Sequence, residues 1–250
     1  VSSIVWRIEH FEVVDSTNTW LAERALEGAP EGLVAVADFQ SAGRGRLDRR
    51  WESPPRASLL CSILLRPDVA PDQLQLVVAC VALAARAALV RLCGVRPALK
   101  WPNDLIVGDA KIAGLLAEIV SVDERLAVVV GIGVNLTHEG PADVVSTSVR
   151  AESGVTITPP ALLDIVLEEL EARRALIDSV EGQATLREEY RRALVTLGQL
   201  VRVERTSDVI VGFAESVDHF GQLIVKVNGE EFTISAGDVV HVRAHEGETS

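Results

Sequence analysis

The sequence predicts an α+β domain followed by a small β-barrel. Three strand-like runs succeed one another over residues 98–135 without a helix between them, the mark of a mixed or antiparallel sheet and not of alternating βαβ units. A run that is apolar nearly all round, from Pro71 to Gly94, reads as a helix buried against that sheet. After Gly198 the period shortens to brief strand-like runs parted by turns, Asn228-Gly229 among them.

In chain order, residues 4–14 alternate loosely and form a strand. Asp15-Ser16-Thr17-Asn18 starts a helix, and Trp20, Leu21 and Ala25 keep its spacing until Gly28-Ala29-Pro30 stops it. Residues 33–39 form a strand, 40–56 a long polar loop, and 58–65 another strand. Pro71-Asp72 opens the buried helix, in which Cys80 and Cys93 are small core residues. The meander strands are 98–107, 111–122 and 126–135, with Gly108-Asp109 and Asp123-Glu124 turning between them. Pro159-Pro160 begins a helix to about Ile177, and residues 183–195 make a second, strongly charged one. The barrel strands are 201–204, 209–214, 222–227, 231–234 and 239–243. The implied domains are residues 1–196, a barrel of residues 197–246, and a tail of 247–250.

Composition excludes whole classes of function. With 250 residues, 48% of them hydrophobic, the chain can build an ordinary core and is not disordered. Its net charge of −12 weighs against a nucleic-acid partner. The longest apolar stretch, residues 76–90, is interrupted by Arg86 and reads as too short to span a bilayer, and the first residues lack a signal-peptide core. Three cysteines without a C-x-x-C spacing suit a reducing compartment, so the cytoplasm is the expected location. The 24 basic residues divide into 21 Arg and only three Lys: Lys100, Lys111 and Lys226.

Phosphate-loop, serine-hydrolase and zinc-protease signatures are absent. His241 and His245 lie four apart but begin on a predicted strand, where that spacing makes no metal-binding face. Three segments carry positive signals. Gln40-Ser41-Ala42-Gly43-Arg44-Gly45-Arg46-Leu47-Asp48-Arg49-Arg50-Trp51 places four arginines among glycines, a combination suited to carboxylate or phosphate, with Trp51 able to cover an aromatic ring. Lys100-Trp101-Pro102-Asn103-Asp104 and Lys111-Ile112-Ala113-Gly114-Leu115 put two of the three lysines into one hairpin, near Asn103. Gly131-Ile132-Gly133-Val134-Asn135 interrupts a β-branched strand with two glycines, as where a ligand or another backbone approaches closely. Taken singly, a solvated loop, two edge lysines and a bulge account for each.

Together with Asp15-Ser16-Thr17-Asn18, these motifs closely resemble the biotin–protein ligase family, the biotin–acetyl-CoA-carboxylase ligases. The motifs span residues 15–135, and the barrel extends the likeness to nearly the whole chain. The resemblance implies a catalytic domain akin to class II aminoacyl-tRNA synthetases followed by an SH3-like barrel. It implies ATP and Mg²⁺ as cofactors and biotin as substrate, with biotinyl-5′-AMP formed first and biotin then passed to a lysine of a biotin carboxyl carrier domain of acyl-CoA or pyruvate carboxylases. By analogy, Arg46 and Lys111 are catalytic. Ser16, Thr17, Asn18, Gln40, Gly43, Arg44, Arg46, Lys111, Gly114, Leu115, Gly131 and Gly133 bind biotin. Arg46, Trp51, Lys100, Asn103, Asp104, Lys111 and Asn135 bind ATP, and Asp104 faces the metal.

Two departures bear on these expectations. The catalytic motifs begin within the first residues, with no DNA-reading domain ahead of them, so no operator binding is expected. Leu47-Asp48 stands where many relatives carry a glycine or a further basic residue. The Arg loop, about 41–51, is expected to be mobile without ligand because its arginines repel one another. Rival readings are a lipoate– or octanoate–protein ligase, which shares fold and chemistry, and a non-enzymatic biotin-sensing regulator. The biotin acceptor itself is a poor candidate, since acceptors flank their lysine with methionines and this chain has no Met. No membrane partner is expected, and an exposed sheet edge or face would support a weak homodimer.

Overall fold

Strand β1 (Arg7–Val14) runs parallel to β2 (Leu33–Gln40), and among the described residues the other strands of its sheet pair antiparallel. With β3 (Ser58–Leu65), β4 (Ala98–Lys100), β5 (Asp104–Val107), β6 (Ala110–Val122) and β7 (Arg125–Asn135) they form a seven-stranded mixed sheet in the order β1-β2-β3-β7-β6-β5-β4. The α+β expectation therefore holds. The chain is described by a computed structural model over residues 4–47, 49–122, 125–141, 144–205, 208–235 and 237–242. The expected turn at Asp123-Glu124, Asp48, His245 and the tail lie outside the described residues.

The two faces of this sheet are covered unequally, and that inequality makes room for a site. On one face, helices α2 (Leu74–Cys93), α4 (Pro159–Ile177) and α5 (Val180–Ala193) cover Leu59, Cys61, Ile63, Val130 and Val134. On the other, helix α1 (Thr17–Leu26) packs Leu21 and Ala25 on Leu64, Ala127 and Val129 and covers only part of the surface. Side chains alternate along a strand, so Ser62, Gly131, Gly133, Gly114 and Glu118 share the face on which α1 sits. The register lines them up: Ser62 opposite Gly131, Gly114 opposite Gly133, Glu118 opposite Val129.

Helix α1 begins at Thr17 because Ser16, with extended backbone, caps the N–H of Thr19. The apolar run of α2 ends at Gly94 in the left-handed conformation. With its leading turn, Pro71–Cys93 is long and apolar enough to cross a membrane (mean hydropathy 2.2), which corrects the expectation that the stretch is too short. Two-thirds of that window is buried inside the protein, as for a core helix. Cys80 is in the core as expected; Cys93, in the last turn, is only half-buried.

The segment 98–107 is not one strand but two, β4 and β5, folded back on each other across Trp101, Pro102 and Asn103. Pro102 has no N–H to continue a ladder, so the chain turns there. A short helix α3 (Val149–Ser153), capped by Ser148, was not expected. Beyond it, β8 (Leu200–Glu204), β9 (Val209–Val217), β10 (Leu223–Val227), β11 (Glu230–Ile234) and β12 (Asp238–His241) make the expected all-β unit. Among the described residues it is one antiparallel sheet, ordered β11-β10-β9-β8-β12. Its inner residues Val201, Val203, Leu223, Val225 and Val239 join the same continuous core as the seven-stranded sheet. The fully buried Trp101 pins the two together, its Nε1–H donating to Gly221 O at 2.9 Å and its backbone N–H to Thr196 Oγ1 at 2.9 Å.

Candidate active site

A cleft of about 880 Å³ opens on the face left uncovered by α1. Its inner end is densely hydrogen-bonded, chiefly by neutral side chains, with the Arg44–Glu118 ion pair at its margin. Gln40 Oε1 accepts from the backbone N–H of Thr17 at 2.7 Å and from its hydroxyl at 3.0 Å. The buried Ser62 hydroxyl lies 2.7 Å from Thr17 Oγ1 and 2.5 Å from Asn18 Oδ1. Asn18 Nδ2 donates to Leu116 O and to Glu118 Oε2, at 3.1 and 2.8 Å. A side chain on Gly131 would collide with the Asn18 amide, so this glycine makes room for Asn18.

Tryptophan 51 occupies the middle of the cleft. A Cβ on Gly133 would fall into its indole, and one on Gly114 would press against both the ring and Lys111. The two glycines therefore let a flat group lie on the strands. In the structure that group is Trp51, whose buried Nε1–H has no acceptor among the described residues. Lys111 Nζ stands 5.7 Å from the same ring's centroid.

The outer end is cationic. Lys111 Nζ pairs with Asp104 Oδ1 at 2.6 Å. Arg46 Nη1 donates to Asn103 Oδ1 at 3.3 Å and to Gly237 O at 3.2 Å. Burial lowers the proton affinity of Arg46; the carboxylates of Asp104 and Asp238 work against that, and the charge of Arg49 adds to it. Arg49 is shifted the other way, chiefly by its hydrogen bond to Asp238. Asn103 Nδ2 donates to Leu115 O at 2.6 Å, and Lys100 also lines this end. The buried Asn135 amide donates to Thr147 O at 3.0 Å.

Nearly all the residues singled out from the sequence thus meet in one cleft. Leu115 enters it through its backbone alone, because its side chain packs in the core on the opposite face of the sheet. Gly43 is buried beside the cleft under Trp51, which donates its N–H to Gly43 O at 3.1 Å. Sequence reasoning missed Ser62, and Glu118, which pairs with Arg44 Nη2 at 2.6 Å. It missed residues 144–146, whose backbone pairs with Lys111, and Gly237 and Asp238 from the C-terminal sheet. Of these, only Glu118 had a signal: it lies four residues beyond Gly114 on the same strand and so on the same face.

Known proteins resemble this chain in sequence and in fold. Residues 10–135 match the family described as "Biotin/lipoate A/B protein ligase family", and residues 196–242 match "Biotin protein ligase C terminal domain". A biotin–[acetyl-CoA-carboxylase] ligase of Mycobacterium tuberculosis is 36% identical over 91% of this chain and 86% of that protein. One from Paracoccus denitrificans is 32% identical over 90% of this chain and 96% of its own length. Among solved structures, the biotin protein ligase of Aquifex aeolicus in complex with biotin and ATP superposes with a TM-score of 0.80, covering 95% of this chain and 99% of that one at 26% identity.

Proposed function

The chain belongs to the biotin/lipoate A/B protein ligase family, and from that membership and the two-ended cleft we propose that it activates biotin with ATP and transfers it to a biotin carboxyl carrier domain. The observation that carries this reading is the polarity of the cleft. Neutral hydrogen-bonding side chains at Ser16, Thr17, Asn18 and Gln40, with the buried Ser62 holding Thr17 and Asn18 from behind, suit the uncharged ureido ring, while Arg46 and Lys111 stand at the end where a carboxylate must meet a phosphate.

In the first step an oxygen of the biotin carboxylate bonds to the α-phosphorus of ATP. The bond from that phosphorus to the β-phosphate oxygen breaks, and pyrophosphate leaves. Two anions must approach each other, so Arg46 and Lys111 offset their repulsion and favour the charge that develops in the transition state. In the second step the neutral amine of the acceptor lysine attacks the acyl carbon and sheds a proton; AMP departs and an amide remains. No covalent enzyme intermediate is needed.

Trp51 and Asn135 are assigned to the adenylate, and Lys100, Asn103 and Asp104 to the phosphates. Among the described residues no group of three His, Cys, Asp or Glu could cage a metal. A single carboxylate suits Mg²⁺, which is commonly held by one or two carboxylates together with substrate phosphates: Asp104 would hold the ion, and it would supply neutralisation of phosphate charge. Three free thiols support a cytoplasmic setting, and the net charge of −12 weighs against a nucleic-acid partner. The free edge of β1, with Ile8 and Val13 exposed, supports a weak homodimer.

Pyrophosphate exchange, with biotin and lipoate offered separately, tests the substrate. Biotin-dependent exchange is expected; exchange with lipoate alone would overturn the choice. Proteolysis within residues 41–51 is expected to fall when biotin and ATP are added.

A further inference from the structure

The C-terminal sheet reaches into the cleft at one point, the start of β12, and there it touches the Arg loop twice. Gly237 O accepts from Arg46, and Asp238 Oδ2 accepts from Arg49 Nη2 at 2.5 Å. Inside the loop the two arginines are mechanically linked. Gly45 N–H donates to Arg49 O at 2.7 Å, Arg49 N–H donates to Arg46 O at 3.1 Å, and Arg44 bridges Arg50. Where Arg49 is held, Arg46 is held.

The other end of the contact is firm. Asp238 is paired with Glu204 on β8 through the strand ladder, and the sheet is fastened to the catalytic domain by the Trp101 indole, which donates to Gly221 O. The contact also acts electrostatically. Arg46 lies half-buried beside the positive charge of Arg49, and Asp238 opposes that repulsion as well as binding Arg49.

We propose that Asp238 is a positioning residue for the reaction: through Arg49 it holds the Arg loop closed, so that the C-terminal sheet sets how long the activated acyl-adenylate stays in the cleft. This rests on the function proposed above. Arg49 is 64% exposed on its side chain, and an ion pair so open to solvent adds little to stability. The contact is therefore expected to show in kinetics and not in folding.

The test follows biotinyl-5′-AMP, preformed on the enzyme and chased with unlabelled biotin and ATP. Asp238→Asn and Arg49→Gln should each release it about threefold to fivefold faster than the parent, the scale of an exposed ion pair, and the double variant no faster than either, as for two groups acting through one contact. The charge-exchanged pair, Arg49→Asp with Asp238→Arg, should recover most of the retention, which a merely structural role would not do. Tryptic cleavage in the loop should rise in both single variants while the melting temperature stays put. Arg49→Gln alters no strand of the C-terminal sheet, so it decides the matter if Asp238→Asn folds poorly. Parent-like release in a folded Arg49→Gln enzyme, or additive effects in the double variant, overturns the proposal. Absence of biotin-dependent pyrophosphate exchange in the parent overturns the assigned reaction instead.

Discussion

Replacing Lys111 with alanine should separate chemistry from folding, because the structure makes the two costs very different. The backbone of Lys111 is fixed independently of its side chain: its N–H donates to Val145 O and its carbonyl accepts from Thr147 N–H, both at 2.9 Å. Alanine keeps both bonds. The side chain is 28% exposed and its partner Asp104 24%, so the ion pair that is lost is partly solvated. The pair is nonetheless mostly buried, and Asp104 Oδ1 wholly so, which makes its loss costlier than that of an exposed pair, about 1–2 kcal/mol; Arg46 remains within electrostatic reach of Asp104. For a domain of this size that is a fall of about 2–8 °C in melting temperature. Removing a fixed cation from a developing phosphoryl charge costs far more, about 3–4 kcal/mol or 10²–10³-fold in rate. Biotin-dependent pyrophosphate exchange and thermal unfolding, measured side by side, should show a rate loss of that order in a folded protein. Lys111→Arg should recover part of the rate by keeping the charge. Exchange within about threefold of the parent would refute the role assigned to Lys111, and loss of the fold would refute the separation of the two costs.

Three further outcomes follow from particular contacts. Gly133→Ala places a methyl in the Trp51 indole; the ring must move, so tryptophan fluorescence should shift and KM for biotin should rise about tenfold or more, whereas parent-like values of both would contradict the packing. Trp101→Phe deletes the donor to Gly221 O in a buried setting, and urea unfolding should show a loss of about 1–3 kcal/mol; a midpoint indistinguishable from the parent's would show the bond to be immaterial. Burial pushes the Cys61 thiol far up and that of Cys80 up to about 12, so a thiol reagent at pH 8 should label the native protein at Cys93 alone and all three cysteines after denaturation. Rapid labelling of Cys61 or Cys80 in the native state would mean the core opens readily.

How much of this was legible in the sequence depended on whether the information was local. The Arg loop, the lysine segments and the paired glycines were readable because their residue types are unusual for their settings, such as glycine on a β-branched strand. Ser62 was not, because an isolated serine in an apolar strand has no meaning until register sets it opposite Gly131. Asp238 lies 189 residues from Arg49 and depends on how the C-terminal sheet docks. One error had a local remedy: Pro102 forbids a continuous strand over residues 98–107, and the apolar run around it masked that signal. That Leu115 reaches the cleft through its backbone was also legible, because it neighbours Gly114 on a strand and period-two alternation sends its side chain to the opposite face.

The charges of the cleft explain how an acidic protein handles two anions. Arg44, Arg49 and Lys111 are each matched by a carboxylate, Glu118, Asp238 and Asp104 respectively. Arg46 differs: among the described residues its hydrogen bonds go to neutral oxygens, those of Asn103 and Gly237, and it makes no ion pair. An incoming carboxylate or phosphate would have to displace a protein carboxylate to reach Lys111 or Arg44, and the gain would be reduced by the ion pair lost. At Arg46 no such exchange is required. Its burial and the nearby Arg49 charge leave it less well compensated than its neighbours until an anion arrives, and charge-assisted hydrogen bonds are the stronger kind. The −12 of the whole chain is thus compatible with anion binding, because the substrate meets an under-compensated guanidinium held in a half-buried place, with Lys100 lining the same cleft.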